Sequence, residues 1–227
     1  MENVEDYWLN RAVSFDAAPD NALFRFLGSV GSHANLTGVK FLDVGFGHGA
    51  DLLEAARRGA EVYGLDINPK SVERLGKVLG PDNVEIWKGG ERFPYLVDFD
   101  VIVANDVIYY FSEQELSFFF EETSRTLAPA GTIIAQIIES DIEIAAPSPS
   151  LEVDFEAFFN AHSNPIFPEN NLIQLLQASS VIALASQQGL TLRGHKVLIE
   201  SYDLAATRLR VTRYFAWDKG AAVECQD

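Results

Sequence analysis

Two acids and three glycines carry the clearest chemistry in this sequence. Asp43 precedes the turn Gly45-Phe46-Gly47-His48-Gly49, and Asp66 closes the next apolar run, Glu61-Val62-Tyr63-Gly64-Leu65. Glycine lacks a Cβ and accepts positive φ, so a Gly-x-Gly-x-Gly turn brings backbone close to a ligand. A carboxylate at the tip of the second strand of a βαβ unit reaches the ribose hydroxyls of a nucleotide-like molecule held over the first turn. The ligand these residues imply is a nucleoside.

What the nucleoside carries stays open between two readings. Gly45, Gly47 and Ala50 satisfy the weaker form of the dinucleotide fingerprint, and a helix N-terminus favours a pyrophosphate. Asp43, lying beneath the turn, favours instead a cationic end such as an α-ammonium. The same residues also have plainer uses. A glycine cluster serves a tight turn with close helix–sheet packing, and Asn68 before Pro69 is a helix N-cap with proline at the first helical position.

The elements that must hold these residues alternate between short β-branched runs and helical patterns, the signature of parallel βαβ units. Strands are expected over 39–44, 61–65, 84–88, 100–104 and 132–138, and helices over 50–58, 69–79 and 113–127. A helix over 171–188 and two alternating runs, 190–203 and 208–217, read as a closing antiparallel hairpin. With 227 residues, 48% of them hydrophobic, the chain can bury a full doubly wound sheet.

Charge and cysteine content narrow the function. A formal charge of −16 repels phosphate backbones and anionic membranes, so nucleic acid is not an expected partner. Cys225 stands alone, which provides neither a disulfide framework nor a metal cluster and suits a reducing compartment. The opening Met1-Glu2-Asn3-Val4-Glu5-Asp6 is acidic where a signal peptide is basic, and no later run reaches membrane-spanning length. The expectation is a cytoplasmic protein without a membrane partner or a metal.

Asp43-x-Gly45-x-Gly47-x-Gly49 followed by Asp66 resembles the class I S-adenosylmethionine-dependent methyltransferases, over roughly residues 39 to 140. Three further landmarks appear in the family's order. Val84 to Glu91 looks like the third strand and the loop that meets the adenine. Phe99 to Val107 looks like the fourth strand, and Leu127-Ala128-Pro129-Ala130-Gly131-Thr132 like the turn into the fifth. The resemblance implies S-adenosylmethionine as cofactor and S-adenosylhomocysteine as product, bound by Asp43, Gly45, Phe46, Gly47, Gly49, Asp66, Ile67, Asn105 and Asp106. The family's acid after the third-strand glycine is replaced by Gly90 with Glu91 next, so adenine recognition falls to Gly90 and Glu91 or to backbone carbonyls. It implies further an α/β doubly wound, seven-stranded sheet whose last strand is antiparallel.

The flanking segments fill out a single domain over 1–227. Residues 1–37 are read as an N-terminal helical cap, 38–139 as the cofactor-binding core, 140–171 as a lid after the fifth strand, and 172–227 as the C-terminal helix and hairpin. In the cap, Tyr7 and Arg11 match a Tyr-x-x-x-Arg helix that covers the cofactor in many small-molecule members of the family. An Arg fork pairs with a carboxylate and an aromatic face attracts a sulfonium. The long lid, with Phe155, Phe158 and Phe159, is read as the wall of an acceptor pocket, the alternative being a hydrophobic helix on the sheet edge.

Methyl transfer needs mainly an in-line acceptor, with a general base when that acceptor is a hydroxyl. Tyr109 and Tyr110, just past the fourth strand, are the residues expected along the methyl path, and His162 in the lid is the candidate base. His33, His48 and His195 are assigned to the surface, the turn and a packed or solvated strand position. The segment Asn105-Asp106-Val107-Ile108-Tyr109 lacks the Asn-Pro-Pro-Tyr/Phe signature of adenine-modifying enzymes. The combined reading is a methyltransferase acting on an oxygen or nitrogen of a small molecule, a sugar or biosynthetic intermediate. An NAD(P)-dependent oxidoreductase and a non-catalytic nucleoside-binding partner subunit are the alternatives.

Overall fold

Seven strands form one sheet in a computed structural model whose described residues are 19–30, 35–143, 176–201 and 208–219. In chain order these residues give α1 (Asn21–Ser29), β1 (Lys40–Val44), α2 (Ala50–Arg57), β2 (Glu61–Asp66), α3 (Pro69–Leu79) and β3 (Val84–Ile86). They continue with β4 (Phe99–Ala104), α4 (Glu113–Thr126), β5 (Leu127–Glu143), α5 (Ala178–Gln187), β6 (Leu190–Ser201) and β7 (Arg208–Lys219). The spatial order is β3-β2-β1-β4-β5-β7-β6. Strands β1 to β5 run parallel, and β7 is antiparallel to both β5 and β6. Parallel neighbours require crossover connections, which the helices supply, whereas the last two strands pair directly. This is the expected doubly wound α/β sheet with its last strand antiparallel.

Local chemistry sets the helix starts. Asp20 caps α1 by accepting from the N–H groups of Ala22 at 2.7 Å and Leu23 at 3.2 Å. Asn68 caps α3 through Lys70 N–H at 3.0 Å, with Pro69 at the first helical position. Ser112 and Glu115 form a capping box at α4. Helix α2 has no side-chain cap and begins directly from Gly49.

Strand alternation sorts the sheet into two faces. Leu42, Val44, Ile102, Ala104, Ile133, Ala135, Phe215 and Trp217 pack with Phe119, Phe120 and Val181 of α4 and α5. Phe41, Val62, Val101, Val103, Ile134 and Tyr214 pack with Leu23, Leu52 and Leu75 of α1, α2 and α3. The same alternation puts Asp66, Asp43 and Asn105 on the second face, at or just past the carboxyl ends of β2, β1 and β4, with Gln136 on that face in the middle of β5. Tyr214 stands opposite Gln136 on β7.

Several boundaries shift by a residue or two from the sequence reading, and the larger differences are at the two ends of β5. The Leu127 to Gly131 segment, expected as the turn into the fifth strand, is itself the bulged beginning of β5: Leu127 pairs with Phe99, and Ala130 takes φ 64. A Cβ at Gly131 would lie 2.8 Å from the Phe99 carbonyl oxygen, so glycine is needed where the bulge presses on β4. At its other end β5 continues to Glu143, so residues 140–143 belong to the strand and not to the expected lid. Four registered pairs with β7, from Ser140 with Val211 to Glu143 with Arg208, hold that extension. The rest of the expected lid, the Tyr7 and Arg11 helix and His162 lie outside the described residues.

Candidate active site

The glycine turn is built as a ligand cradle needs. Gly45, Gly47 and Gly49 all adopt left-handed φ, at 76°, 51° and 76°. Gly45 and Phe46 donate their N–H groups to the Leu65 carbonyl at 2.6 and 3.3 Å, which ties the turn to β2. A Cβ on Gly45 would meet Val107 at 2.5 Å and one on Gly49 would meet Leu75 at 2.5 Å. Above Gly47 the space is open, the nearest atom being the Gly45 oxygen at 4.0 Å. Two glycines therefore serve packing, and the middle one leaves room for something else.

Asp66 points its carboxylate at that opening. Its Oδ2 accepts Gly47 N–H and its Oδ1 accepts Asn68 N–H, each at 2.7 Å. Two backbone bonds orient the group and leave further lone pairs for a diol. Burial raises its pKa, against the lowering by those bonds and by the charge of exposed His48.

Asp43 lies beneath the turn, 3% exposed. Burial first, then repulsion from Asp51 and Asp66, pushes its carboxyl well above the ordinary aspartate range. A folded pKa above the unfolded one means that protonation favours the folded chain, and this contribution disappears as pH rises through the raised value. Asp43→Asn should therefore melt higher than the wild type at neutral pH, and the gap should narrow as pH falls toward the ordinary aspartate value. Melting temperatures across that pH range test this; an Asn variant less stable at neutral pH would contradict burial as the dominant influence.

The chain leaving β4 makes the other wall. Asn105 donates through Nδ2 to Asp20 Oδ2 at 3.2 Å and to Asp51 Oδ2 at 3.3 Å. Its Oδ1, and the Oγ1 of Thr212 on β7, are buried without a hydrogen-bond partner. Asp51 also accepts Asp20 N–H at 2.5 Å, and burial raises its pKa. Asp106 takes φ 55, uncommon for a residue other than glycine. Its Oδ1 accepts the Tyr109 hydroxyl at 3.0 Å. Burial and the Asp106 charge hold the Tyr109 phenol well above its ordinary pKa, with Arg210 opposing. Tyr109 and Tyr110 have ring centroids 4.7 Å apart.

The remaining expected residues are placed as follows. Phe46 is turned into the core, against which Gly64 leaves room, so its side chain packs and its carbonyl accepts Gly49 N–H at 2.7 Å. Ile67 is half-buried beside Asp66. Gly90 has φ 83, and exposed Glu91 folds back to accept Lys88 N–H at 3.4 Å while its carbonyl accepts the Trp87 indole at 2.9 Å. His195 is exposed on β6, away from the turn. Asp20, Asp51, Gln136 and Tyr214 escaped the sequence reading, although a glutamine inside Thr132-Ile133-Ile134-Ala135-Gln136-Ile137-Ile138 is a polar interruption worth noticing.

A left-handed glycine turn, an oriented carboxylate at the tip of β2 and an acid beneath are the features expected of a nucleoside-binding α/β domain. Residues 41–131 match the methyltransferase domain family. Over 85 residues the chain is 34% identical to a magnesium-protoporphyrin O-methyltransferase of Rhodobacter capsulatus, covering 36% of this chain and 38% of that relative's length. Solved structures share the fold across most of the chain. Magnesium protoporphyrin IX methyltransferase from Synechocystis PCC 6803, with S-adenosylhomocysteine bound, has 17% identity and a TM-score of 0.58 over 88% of this chain and 81% of that one. The N-methyltransferase NodS from Bradyrhizobium japonicum WM9, also with S-adenosylhomocysteine, has 15% identity and a TM-score of 0.58 over 96% and 97%. Residues 41–131 thus match a methyltransferase domain family, and the fold across most of the chain is that of methyltransferases solved with S-adenosylhomocysteine bound.

Proposed function

We propose that this chain transfers the methyl group of S-adenosylmethionine to an oxygen or nitrogen of a small molecule. The observation that carries the reading is the open space over Gly47, flanked by the fixed Asp66 carboxylate and underlain by Asp43. These residues fit the cofactor. Asp66 has lone pairs left for the ribose hydroxyls, Asp43 supplies negative charge beneath an α-ammonium, and the orphaned Asn105 Oδ1 offers an acceptor for a further donor. Gly90, Glu91 and Ile67 are assigned to the adenine side.

Bound there, the cofactor supplies a methyl group on its own leaving group, so the protein's part is to align an acceptor. Tyr109 and Tyr110 stand at the β4 exit, where the acceptor would approach, and His162 is the proposed base for a hydroxyl acceptor. The charge of −16 favours a small molecule over a nucleic acid. No described helix is long and apolar enough to cross a membrane, in keeping with a cytoplasmic assignment.

Isothermal calorimetry of the full chain against S-adenosylhomocysteine and NADH, run side by side, tests the reading. Heat with S-adenosylhomocysteine alone is the expected result. Binding of NADH with silence for S-adenosylhomocysteine would favour the oxidoreductase alternative that Gly45, Gly47 and Ala50 permit.

A further inference from the structure

Gln136 is 5% exposed and bonded at both ends of its amide. Its Oε1 accepts Asp106 N–H at 3.2 Å, and its Nε2 donates to the Tyr214 hydroxyl oxygen at 3.2 Å. A backbone N–H can only donate, which settles which end of the amide faces which neighbour. The Tyr214 proton is then directed to Asp20 Oδ2, a carboxylate oxygen that only accepts. Donation runs one way along four groups, from Asp106 to Asp20, across β4, β5 and β7. Reversing one member would leave another buried group unbonded.

Both ends of this chain are consequential. At one end Asp106 holds a left-handed backbone and receives the Tyr109 hydroxyl. A left-handed conformation in a residue other than glycine persists where its surroundings over-determine it. At the other end Asp20 caps α1, and its second carboxylate oxygen also receives Asn105 Nδ2.

Resting on the methyl-transfer reading, we propose that Gln136 and Tyr214 are positioning residues: they hold Asp106, and through it the Tyr109 hydroxyl, in place at the acceptor side, and they couple that placement to the seating of α1. Neither is a catalytic residue. The coupling makes the acceptor wall sensitive to whether the N-terminal part of the fold is docked.

Hydrogen exchange on the full chain, with and without S-adenosylhomocysteine, tests the proposal together with calorimetry. Gln136→Met keeps the volume and loses both bonds. It should speed exchange selectively across residues 105–111 and weaken S-adenosylhomocysteine binding about tenfold, the effect of one lost hydrogen bond. Gln136→Glu keeps an acceptor for Asp106 N–H and should restore most of the protection at 105–111. Tyr214→Phe keeps the ring beside Phe26, whose centroid is 6.0 Å away, and should speed exchange at 20–24 and 105–111 together. Wild-type exchange at 105–111 in both Gln136→Met and Tyr214→Phe would overturn the proposal. So would a uniform rise across the sheet, or a Gln136→Glu variant indistinguishable from Gln136→Met. If Gln136→Met does not fold, Tyr214→Phe decides the matter alone. Should the wild type give no heat with S-adenosylhomocysteine, the methyl-transfer reading fails, while the exchange pattern still judges the positioning role.

Discussion

Asp66→Ala should bind S-adenosylhomocysteine roughly 30-fold to 1,000-fold more weakly than the wild type, a loss of about 2 to 4 kcal/mol. The loss has two sources. The variant cannot accept the ribose hydroxyls, and it frees the Gly47 and Asn68 N–H groups that now orient the carboxylate. Stability without ligand should change less than affinity, because removing an acid whose pKa burial has raised relieves part of what the lost hydrogen bonds cost. Calorimetry and thermal melting of the same preparation separate the two effects. Unchanged affinity would remove Asp66 from the cofactor site.

The glycine turn gives the second large effect, and it differs from one glycine to the next. Gly45→Ala must accept a left-handed backbone and place a Cβ 2.5 Å from Val107 Cγ2 and 2.7 Å from its Cβ. Backbone strain of about 1 to 2 kcal/mol and overpacking of about 1 to 3 kcal/mol together predict a destabilisation of roughly 2 to 5 kcal/mol. Gly47→Ala meets nothing nearer than 4.0 Å. It should lose only the backbone part, about 1 to 2 kcal/mol, yet interfere with ligand by filling the open space. Urea denaturation and S-adenosylhomocysteine titration of the two variants check this. Equal stability losses would show that Val107 moves aside without cost.

Much of this was legible before folding because it is local. The left-handed glycines, the Asn68 and Pro69 helix start and the β-branched runs are properties of a few adjacent residues. The helix Pro69–Leu79 matched its expected limits for that reason. The β5 limits did not match, because a strand's length depends on its partner. Residues 139 to 143 carry no apolar alternation that would announce them, and β7 recruits them by backbone pairing. The Leu127 to Gly131 segment likewise reads as a turn ahead of the fifth strand until Phe99 is found pressed against Gly131.

The class of sheet, the glycine cradle and the two acids proposed to hold a nucleoside are readable from period, glycine conformation and spacing along one βαβ unit. Which polar residues meet across the sheet is set by tertiary packing. Asp20, Asn105 with Asp106, Gln136 and Tyr214 come from four separate stretches of chain, and nothing in their local sequence indicates that they bond to one another. Strand order places β7 beside β5 and β5 beside β4, and side-chain alternation then turns Gln136 and Tyr214 toward the face where Asp20 and the chain leaving β4 meet them. A buried hydrogen-bond chain of that kind is a product of register, which is fixed only when the whole sheet closes its core.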